Sequence, residues 1–187
     1  MRVNIDEIKE AGTDRRWDVA RDDLDGMVQG DRSGWRARGG AHVDVHLQKV
    51  ERRVLVRAHA VAPLSTECGR CLTAVTADVP VDFQLTMVPE DEYQEETGPA
   101  EDQAHRPVAG SFDTRTAEEE AYTGKVIDLD PIVREQVLLA LPAYPVCKDD
   151  CQGLCTVCGG NLNEKACGCD RSVPDPRWAG LARFKTK

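Results

Sequence analysis

Residues 147–169 read CKDDCQGLCTVCGGNLNEKACGC and contain six of the eight cysteines of this 187-residue chain. The other two stand in ECGRCL, residues 67–72, and 75 residues separate them from the first cysteine of the long stretch. Dense cysteine spacing of this kind is typical of zinc sites, because zinc is borderline soft and four thiolates satisfy its tetrahedral preference. We therefore predict that the chain folds around zinc, which has a structural role. The predicted ligands are Cys68, Cys71, Cys147, Cys151, Cys155, Cys158, Cys167 and Cys169.

The spacing divides these cysteines into two groups and so predicts two zinc ions. Cys155 and Cys158, followed by Gly159, have the form of a zinc knuckle. The glycine permits a positive φ, which turns backbone N–H groups toward the sulfurs. The knuckle closes most simply with Cys167 and Cys169. A site built from the other four cysteines would join the sheet to the segment after the C-terminal helix, and closing so long a loop is strongly stabilising.

The spacing alone leaves other interpretations of the cysteines open. The chain could hold one zinc ion and four spare cysteines, or the thiols could simply be buried. An iron–sulfur cluster also takes four cysteines, although C-x2-C combined with C-x-C fits a mononuclear site better.

The acidic charge of the chain is concentrated in one segment. The net charge is −9, and residues 89–120 contain eleven acids and two arginines, so the rest of the chain is neutral overall. This segment has few apolar residues, so the burial of its side chains cannot offset the conformational entropy that it would lose on ordering. We therefore predict a flexible loop over residues 89–122. The overall acidity argues against non-specific nucleic-acid binding, while leaving room for a local basic patch.

Three stretches of alternating apolar residues predict an antiparallel sheet meander with one buried face. They are 43–47, 54–62 and 75–87, and Pro80 should lie at an edge or a bulge because it has no backbone N–H to donate. A helix at Asp130–Leu141 is predicted by its apolar face, by Pro131 in the first turn and by capping from Asp128 or Asp130.

Two N-terminal features complete the predicted fold. The spacing of apolar residues over 16–28 favours a short amphipathic helix, and residues 33–40 read as a loop. The expected class is α+β, an antiparallel meander with a packed C-terminal helix and a zinc-stapled C-terminal segment. We divide this single domain into an N-terminal arm and sheet (1–88), the acidic loop (89–122), and the helix with the cysteine-rich segment and basic tail (123–187).

Several functional classes find no support in the sequence. The N-terminus lacks the apolar run of a signal peptide, and no stretch approaches the length of a membrane span. We therefore expect a cytoplasmic protein whose thiols stay reduced. No nucleophile elbow, phosphate-binding loop or zinc-protease motif is present, and His42 and His46 fall on the polar face of a predicted strand. We predict no catalytic residue and no enzymatic activity.

The C-terminal stretch DPRWAGLARFKTK, residues 175–187, is basic and carries interleaved aromatic residues. It can pack as an amphipathic tail, and it also suits phosphate and stacking contacts with RNA. These two interpretations are compatible. The candidate RNA contacts are Arg70, Arg177, Arg183, Lys185 and Lys187.

Four elements in one order resemble the YceD family, the large ribosomal RNA subunit accumulation proteins, over about residues 40–187. They are ECGRCL, IDLDPIVREQVLLALPAYPVC, DDCQGLCTVCGGNLNEKACGC and DPRWAGL. The resemblance implies a non-enzymatic ribosome biogenesis factor that is needed for 23S rRNA accumulation and has ribosomal RNA or a large-subunit precursor as its partner. Some members lack the last four cysteines and have histidines in place of Cys147 and Cys151, which supports the grouping above.

Two rival hypotheses remain. One is a redox-switched zinc chaperone, because oxidation of zinc-bound thiolates can release the metal and expose apolar surface. The other is a module that docks a basic ribosomal protein through the acidic segment.

Overall fold

The computed structural model describes residues 1–29, 34–97, 118–170 and Arg177. The chain forms two compact units, one from Met1–Thr66 with Thr76–Ala143 and one from Glu67–Val75 with Tyr144–Lys187. Each unit therefore combines stretches that are distant in sequence. The division of the chain into consecutive segments at residues 88 and 122 stays a prediction.

Eight strands and three α-helices make up the regular structure of the described residues. The strands are β1 Arg2–Asn4, β2 Thr13–Val19, β3 Arg36–Ala37, β4 Ala41–Val50, β5 Arg53–Glu67, β6 Ala74–Pro89, β7 Glu119–Tyr122 and β8 Val126–Asp128. The helices are α1 Arg21–Val28, α2 Glu90–Thr97 and α3 Asp130–Ala140. None of these helices is long and apolar enough to cross a membrane.

The main sheet has the strand order β2-β4-β5-β6-β7, with β3 paired to β5, while β1 and β8 form a separate antiparallel pair. Strands β4, β5 and β6 are the three that the alternation predicts, and the inward residues of β4 and β5 are buried as expected. Pro80 precedes the stretch Thr86–Pro89 where β6 pairs with β7, so it lies at an edge of the described sheet.

The α+β class is confirmed, but the prediction of a purely antiparallel meander is wrong. Strand β7 joins β6 in parallel, and β2 adds a further antiparallel strand to β4. Parallel pairing requires a crossover of a dozen or more residues. The sequence between β6 and β7 is long enough for such a connection, and its composition predicts only a loop.

The N-terminal helix begins later than its sequence pattern suggests. Residues predicted as its first turn belong to β2, where Trp17 lies opposite Val43 of β4. Pairing with a neighbouring strand here overrides the local helical spacing. Similarly, the predicted loop at 33–40 contains the short strand β3, which pairs with Ser65 and Leu64 of β5.

Both ends of the predicted acidic loop are ordered. Helix α2 and strand β7 occupy them, while residues 98–117 lie outside the described residues. Arg52 contacts Asp91 at 2.8 Å, and Arg53 contacts Glu92 and Glu119 at 2.7 and 3.2 Å. The negative charge is therefore partly neutralised by Arg52, in the turn between β4 and β5, and by Arg53 at the start of β5, which composition alone does not reveal.

Helix α3 matches its prediction to within one residue. Pro131 stands in its first turn, and Ile132, Val133 and Val137 are buried. Of the two candidate caps, Asp128 accepts a hydrogen bond at 3.0 Å from the backbone N–H of Asp130. The core of the first unit is mostly aliphatic, as the low aromatic content predicts.

Candidate metal centres

The structure gathers the eight cysteines into two groups of four, both within the second compact unit. Within each group the four sulfur atoms lie within 4.8 Å of one another. These are the same two groups that the spacing predicts. We call them centre A (Cys68, Cys71, Cys147 and Cys151) and centre B (Cys155, Cys158, Cys167 and Cys169).

The sulfur separations in centre A fit a tetrahedral metal ion. The Sγ atoms of Cys68 and Cys151 are 3.9 Å apart, and those of Cys71 and Cys147 are 3.5 Å apart. Zinc–sulfur bonds of about 2.3 Å place the sulfurs of a tetrahedral site ~3.8 Å apart, whereas a disulfide needs about 2.05 Å. All eight cysteines are free thiols.

Centre A begins with a tight turn between β5 and β6. The backbone N–H of Arg70 donates to Cys68 Sγ at 3.4 Å, and the N–H of Leu72 donates to the Cys68 carbonyl at 2.9 Å. The N–H of Cys68 donates to the Thr73 carbonyl at 2.8 Å. These bonds hold Cys68 and Cys71 on one side of the turn.

Centre B begins with the same turn. The backbone N–H of Val157 donates to Cys155 Sγ at 3.4 Å, and the N–H of Gly159 donates to the Cys155 carbonyl at 2.8 Å. The N–H of Cys155 donates to the Gly160 carbonyl at 2.8 Å. The two centres therefore start from two copies of one knuckle.

The residue after the second cysteine of each knuckle has a left-handed backbone conformation. Gly159 has φ of 71° and Leu72 has φ of 60°. The left-handed conformation at position 159 is predictable from the sequence because the residue is glycine. The one at position 72 is not predictable, because leucine rarely adopts this conformation and loses about 1–2 kcal/mol in it. Leu72 is also 58% exposed.

The second half of centre A comes from the segment after α3. Arg70 reaches it with Nη1, which donates to the carbonyls of Asp149 and Cys151 at 3.2 Å each. In addition, the N–H of Gly69 donates to the Pro145 carbonyl at 2.9 Å. Arg70 thus braces the loop that carries Cys147 and Cys151, and its contact with RNA stays a prediction.

Gly153 lies between the two centres and has to be glycine. Its φ is 73°, and a Cβ on it would lie 3.1 Å from the Arg70 carbonyl oxygen. That carbonyl accepts a hydrogen bond from the N–H of Leu154 at 3.0 Å. Gly153 is not among the predicted site residues, although its place between two candidate ligand cysteines is a signal that the sequence contains.

Two polar side chains that contact ligand sulfurs were also missed. Thr73 Oγ1 lies 2.8 Å from Cys71 Sγ, and Asn163 Nδ2 donates to Cys151 Sγ at 3.4 Å. Contacts of this kind orient metal ligands and tune their charge. Nothing in their local sequence distinguishes them from ordinary turn residues.

Hydrogen bonds make one sulfur of centre A a ready thiolate. Burial raises the pKa of Cys68, but hydrogen bonds from the backbone of Arg70, Cys71 and Cys147 and from the Cys71 side chain together lower the pKa to about 6. Contact with the Cys71 thiol, followed by burial, raises the pKa of Cys147 to about 12. A divalent cation would displace the remaining protons and neutralise the clustered thiolates.

Centre B shows the same contrast. The backbone N–H groups of Cys158 and Val157 are the main causes that lower the pKa of Cys155 to about 6. Contacts with the Cys158 and Cys167 sulfurs raise the pKa of Cys169 to about 12.

Four sulfur donors suit zinc or iron and exclude magnesium and calcium, which require oxygen ligands. Because four sulfurs close the coordination shell, neither centre leaves a position for a substrate.

The candidate RNA contacts are only partly described. Arg70 and Arg177 are exposed, whereas Arg183, Lys185 and Lys187 lie outside the described residues. His42 and His46 are on β4 and contact Asp18 and Asp14.

Comparison with known proteins identifies the family. The chain matches the family described as large ribosomal RNA subunit accumulation protein YceD over residues 56–185. It is 34% identical over 142 residues to uncharacterized proteins of Mycobacterium bovis and Mycobacterium tuberculosis, covering 76% of this chain and 60% of theirs. The chain thus spans less than two thirds of the length of these curated relatives.

A plant protein matches a shorter part of the chain. The large ribosomal RNA subunit accumulation protein YCED homolog 1, chloroplastic, of Arabidopsis thaliana is 33% identical over 61 residues, which is 33% of this chain and 19% of that protein. No solved structure matches. The family match covers more than half of the chain and includes both cysteine groups. The chain therefore belongs to the YceD family of large ribosomal RNA subunit accumulation proteins.

Proposed function

We propose that this protein is a zinc-stabilised, non-enzymatic ribosome biogenesis factor that promotes 23S rRNA accumulation and large-subunit assembly. The observation that supports it most is the family match over residues 56–185, which spans both cysteine groups. The name of the Arabidopsis relative points the same way. Action in the cytoplasm stays a prediction.

The geometry of the centres supports a structural role for the metal. Two closed four-sulfur groups can hold residues 67–75 and 144–170 in one frame without offering an open coordination position. Such a frame presents a fixed surface to a partner. We propose zinc at both centres and ribosomal RNA, or a large-subunit precursor, as the partner.

The basic tail is the proposed RNA contact. Arg177, Arg183, Lys185 and Lys187 can neutralise phosphates, and binding should then weaken steeply as salt rises. Reversing the charge of Arg183, Lys185 and Lys187 should reduce the slope of log affinity against log salt by about two. Arg183→Lys, Lys185→Arg and Lys187→Arg keep the charge and serve as the matched control, which should bind like the natural chain.

Cells depleted of the protein test the proposed function directly. The ratio of large- to small-subunit ribosomal RNA is measured, and precursor particles are resolved on a sucrose gradient. We expect a selective fall in the large-subunit RNA that the natural chain restores and Cys68→Ser with Cys71→Ser does not. An unchanged ratio in depleted cells would refute the assembly role.

A redox-switched chaperone is the second candidate, and the exposure of centre B favours it. Cys158 is exposed and Cys167 and Cys169 are half-buried, so an oxidant can reach them. Hydrogen peroxide would oxidise two thiolates to a disulfide while it takes up two protons and is reduced to two water molecules, and a zinc ion at centre B would keep only two of its four ligands and be released. Zinc release coupled to a gain in holdase activity would support this candidate, and release without such a gain would exclude it.

Docking of a basic ribosomal protein through residues 90–120 is a weaker candidate. Asp91, Glu92 and Glu119 already pair with Arg52 and Arg53, which reduces the negative charge that the segment can offer.

A further inference from the structure

The two metal centres are joined by the short segment 151–155, which begins with a ligand of centre A and ends with a ligand of centre B. This segment packs along the loop of centre B, which we define as residues 159–166 between the ligands Cys158 and Cys167. The carbonyl of Gly153 accepts a hydrogen bond at 2.9 Å from the N–H of Leu162, and Leu154 forms an antiparallel bridge with Asn161. Movement of the loop would therefore be transmitted to the segment.

Asn163 belongs to that loop and reaches centre A. It lies between Cys158 and Cys167, inside the stretch of chain that centre B closes. Its Nδ2 donates to Cys151 Sγ at 3.4 Å, and its Oδ1 accepts from the backbone N–H of Gln152 at 2.9 Å. The Asn163 side chain thus contacts both a ligand sulfur of centre A and the backbone N–H of Gln152, the residue after Cys151.

The position of Asn163 is set within the loop itself. Its backbone N–H and its Nδ2 both donate to Asn161 Oδ1, at 3.0 and 2.8 Å. Asn161 Nδ2 in turn donates to Glu164 at 2.9 Å. Asn163 is therefore placed correctly only when residues 161–164 keep this turn, which closure by centre B restrains.

We propose that Asn163 couples the two centres, so that metal bound at centre B raises the metal affinity of centre A. Closing centre B restrains the loop and sets Asn163 against Cys151, where its Nδ2 donates to the ligand sulfur and holds that sulfur in position. Loss of such outer contacts lowers metal affinity by about 10- to 100-fold. Coupling of this kind is reciprocal, so metal at centre A must tighten centre B by the same factor. The inference rests on the metal binding proposed above.

Metal titration of the reduced, metal-free full-length chain tests the coupling. Zinc affinity is measured by competition with a chromogenic chelator, and cobalt is used to record the thiolate charge-transfer absorption of each centre. Cys167→Ser with Cys169→Ser disables centre B, and we expect the affinity of centre A to fall about 10- to 100-fold. Unchanged affinity at centre A would overturn the proposal.

Substitutions of Asn163 separate coupling from loss of folding, because they leave all eight ligands in place. Asn163→Asp keeps the acceptor for the Gln152 N–H but cannot donate to Cys151 Sγ. We expect both Asn163→Asp and Asn163→Ala to lower the affinity of centre A and to change its cobalt spectrum. Lys165→Ala, an exposed residue of the same loop, is the matched control and should leave both unchanged.

A double-mutant cycle gives the decisive outcome. In a chain that already lacks Cys167 and Cys169, Asn163→Ala should cause little further loss at centre A. An equal loss with centre B intact or disabled would make Asn163 a local support only and overturn the coupling. Failure of the natural chain to bind any metal would overturn the coupling together with the metal sites, whereas two ions bound independently would overturn the coupling alone.

Discussion

Leu72 and Gly159 occupy equivalent positions in the two knuckles, and only one of them is suited to its conformation. Their φ angles are 60° and 71°, a region in which an L-residue loses about 1–2 kcal/mol. The two positions therefore form an internal comparison. Leu72 adopts this strained conformation and is 58% exposed, so its side chain is available to contact a partner.

Substitutions at positions 159 and 72 should affect the unfolding free energy differently. Gly159→Ala should lower the unfolding free energy by about 1–2 kcal/mol through backbone strain, since the added Cβ would meet no atom of the described residues within 4 Å beyond its two chain neighbours. Leu72→Gly should not lower it, because relief of strain offsets the entropy of glycine. Denaturant unfolding of the zinc-loaded protein measures both. Leu72→Ala keeps the strain and is the control; if it equals Leu72→Gly, strain at this position is negligible.

Asp25 shows how a single carboxylate can make stability depend on pH. Its pKa is lowered, first by the hydrogen bond from the Ala37 N–H and then by Gln29. A carboxylate whose folded pKa lies below its unfolded pKa adds stability above the unfolded value, and this is lost as the pH falls through the folded value. Asp25→Asn should therefore reduce the loss of stability as the pH falls from the unfolded pKa of an aspartate to the lowered pKa of Asp25 in the folded chain. Equal pH profiles for both chains would contradict this.

At the scale of elements, α2 and β7 depend on Arg52, in the turn between β4 and β5, and on Arg53, the first residue of β5. Arg53 contacts Glu92 and Glu119, and one oxygen of Glu119 is buried without a hydrogen bond within the described residues. The ordering of these elements thus comes from pairing across the sheet. It does not come from their own composition, which is strongly acidic.

Removal of Arg53 should loosen both ends of the acidic segment. Arg53→Met keeps much of the aliphatic stem but leaves Glu119 without its cation, so we expect a loss of about 1–2 kcal/mol in local stability. Hydrogen exchange in α2 and β7 should become faster while α3 is unaffected. Arg57→Met, on the same strand and bonded to Gln84, is the comparison. Faster exchange in both variants alike would argue against a specific role of Arg53.

At the scale of the whole molecule, the two units differ in what holds them together. The aliphatic core lies in the first unit, from Val3 to Val137. Among the described residues of the second unit, the buried cluster consists of Cys68, Cys71 and Cys151, with Val75, Val146 and Leu154 packed against it. A cluster of this size stabilises a fold only weakly, so we expect bound metal to contribute much of the stability of residues 144–170.

Metal removal should therefore unfold one unit selectively. After chelation under reducing conditions, amide protection should be lost in residues 144–170 and retained in β4 and α3. Hydrogen exchange read by mass spectrometry measures both regions in one sample, and addition of zinc should restore protection. Retained protection at 144–170 without metal would show that the second unit is stable by itself.

The part of the fold that local pattern controls was predictable from the sequence. Alternation predicts β4, β5 and β6, because a half-buried strand needs it, and α3 is predicted by its apolar face and Pro131. The grouping of the cysteines also follows from spacing. A tetrahedral site that begins with the two cysteines of a knuckle needs two more, and few pairs of cysteines are spaced to supply them. Family membership rests on the same elements.

Other features were decided only by tertiary structure, because their causes are distant in sequence. Strand β2 exists through pairing with β4, and β7 through pairing with β6 and contact with Arg53. Local composition favoured a helix and a loop instead. Likewise, the bond from Asn163 to Cys151 requires the turn of one centre to be packed against the other. Sequence by itself determined the grouping of the cysteines and the local elements; the long-range pairings depended on contacts that only the folded chain makes.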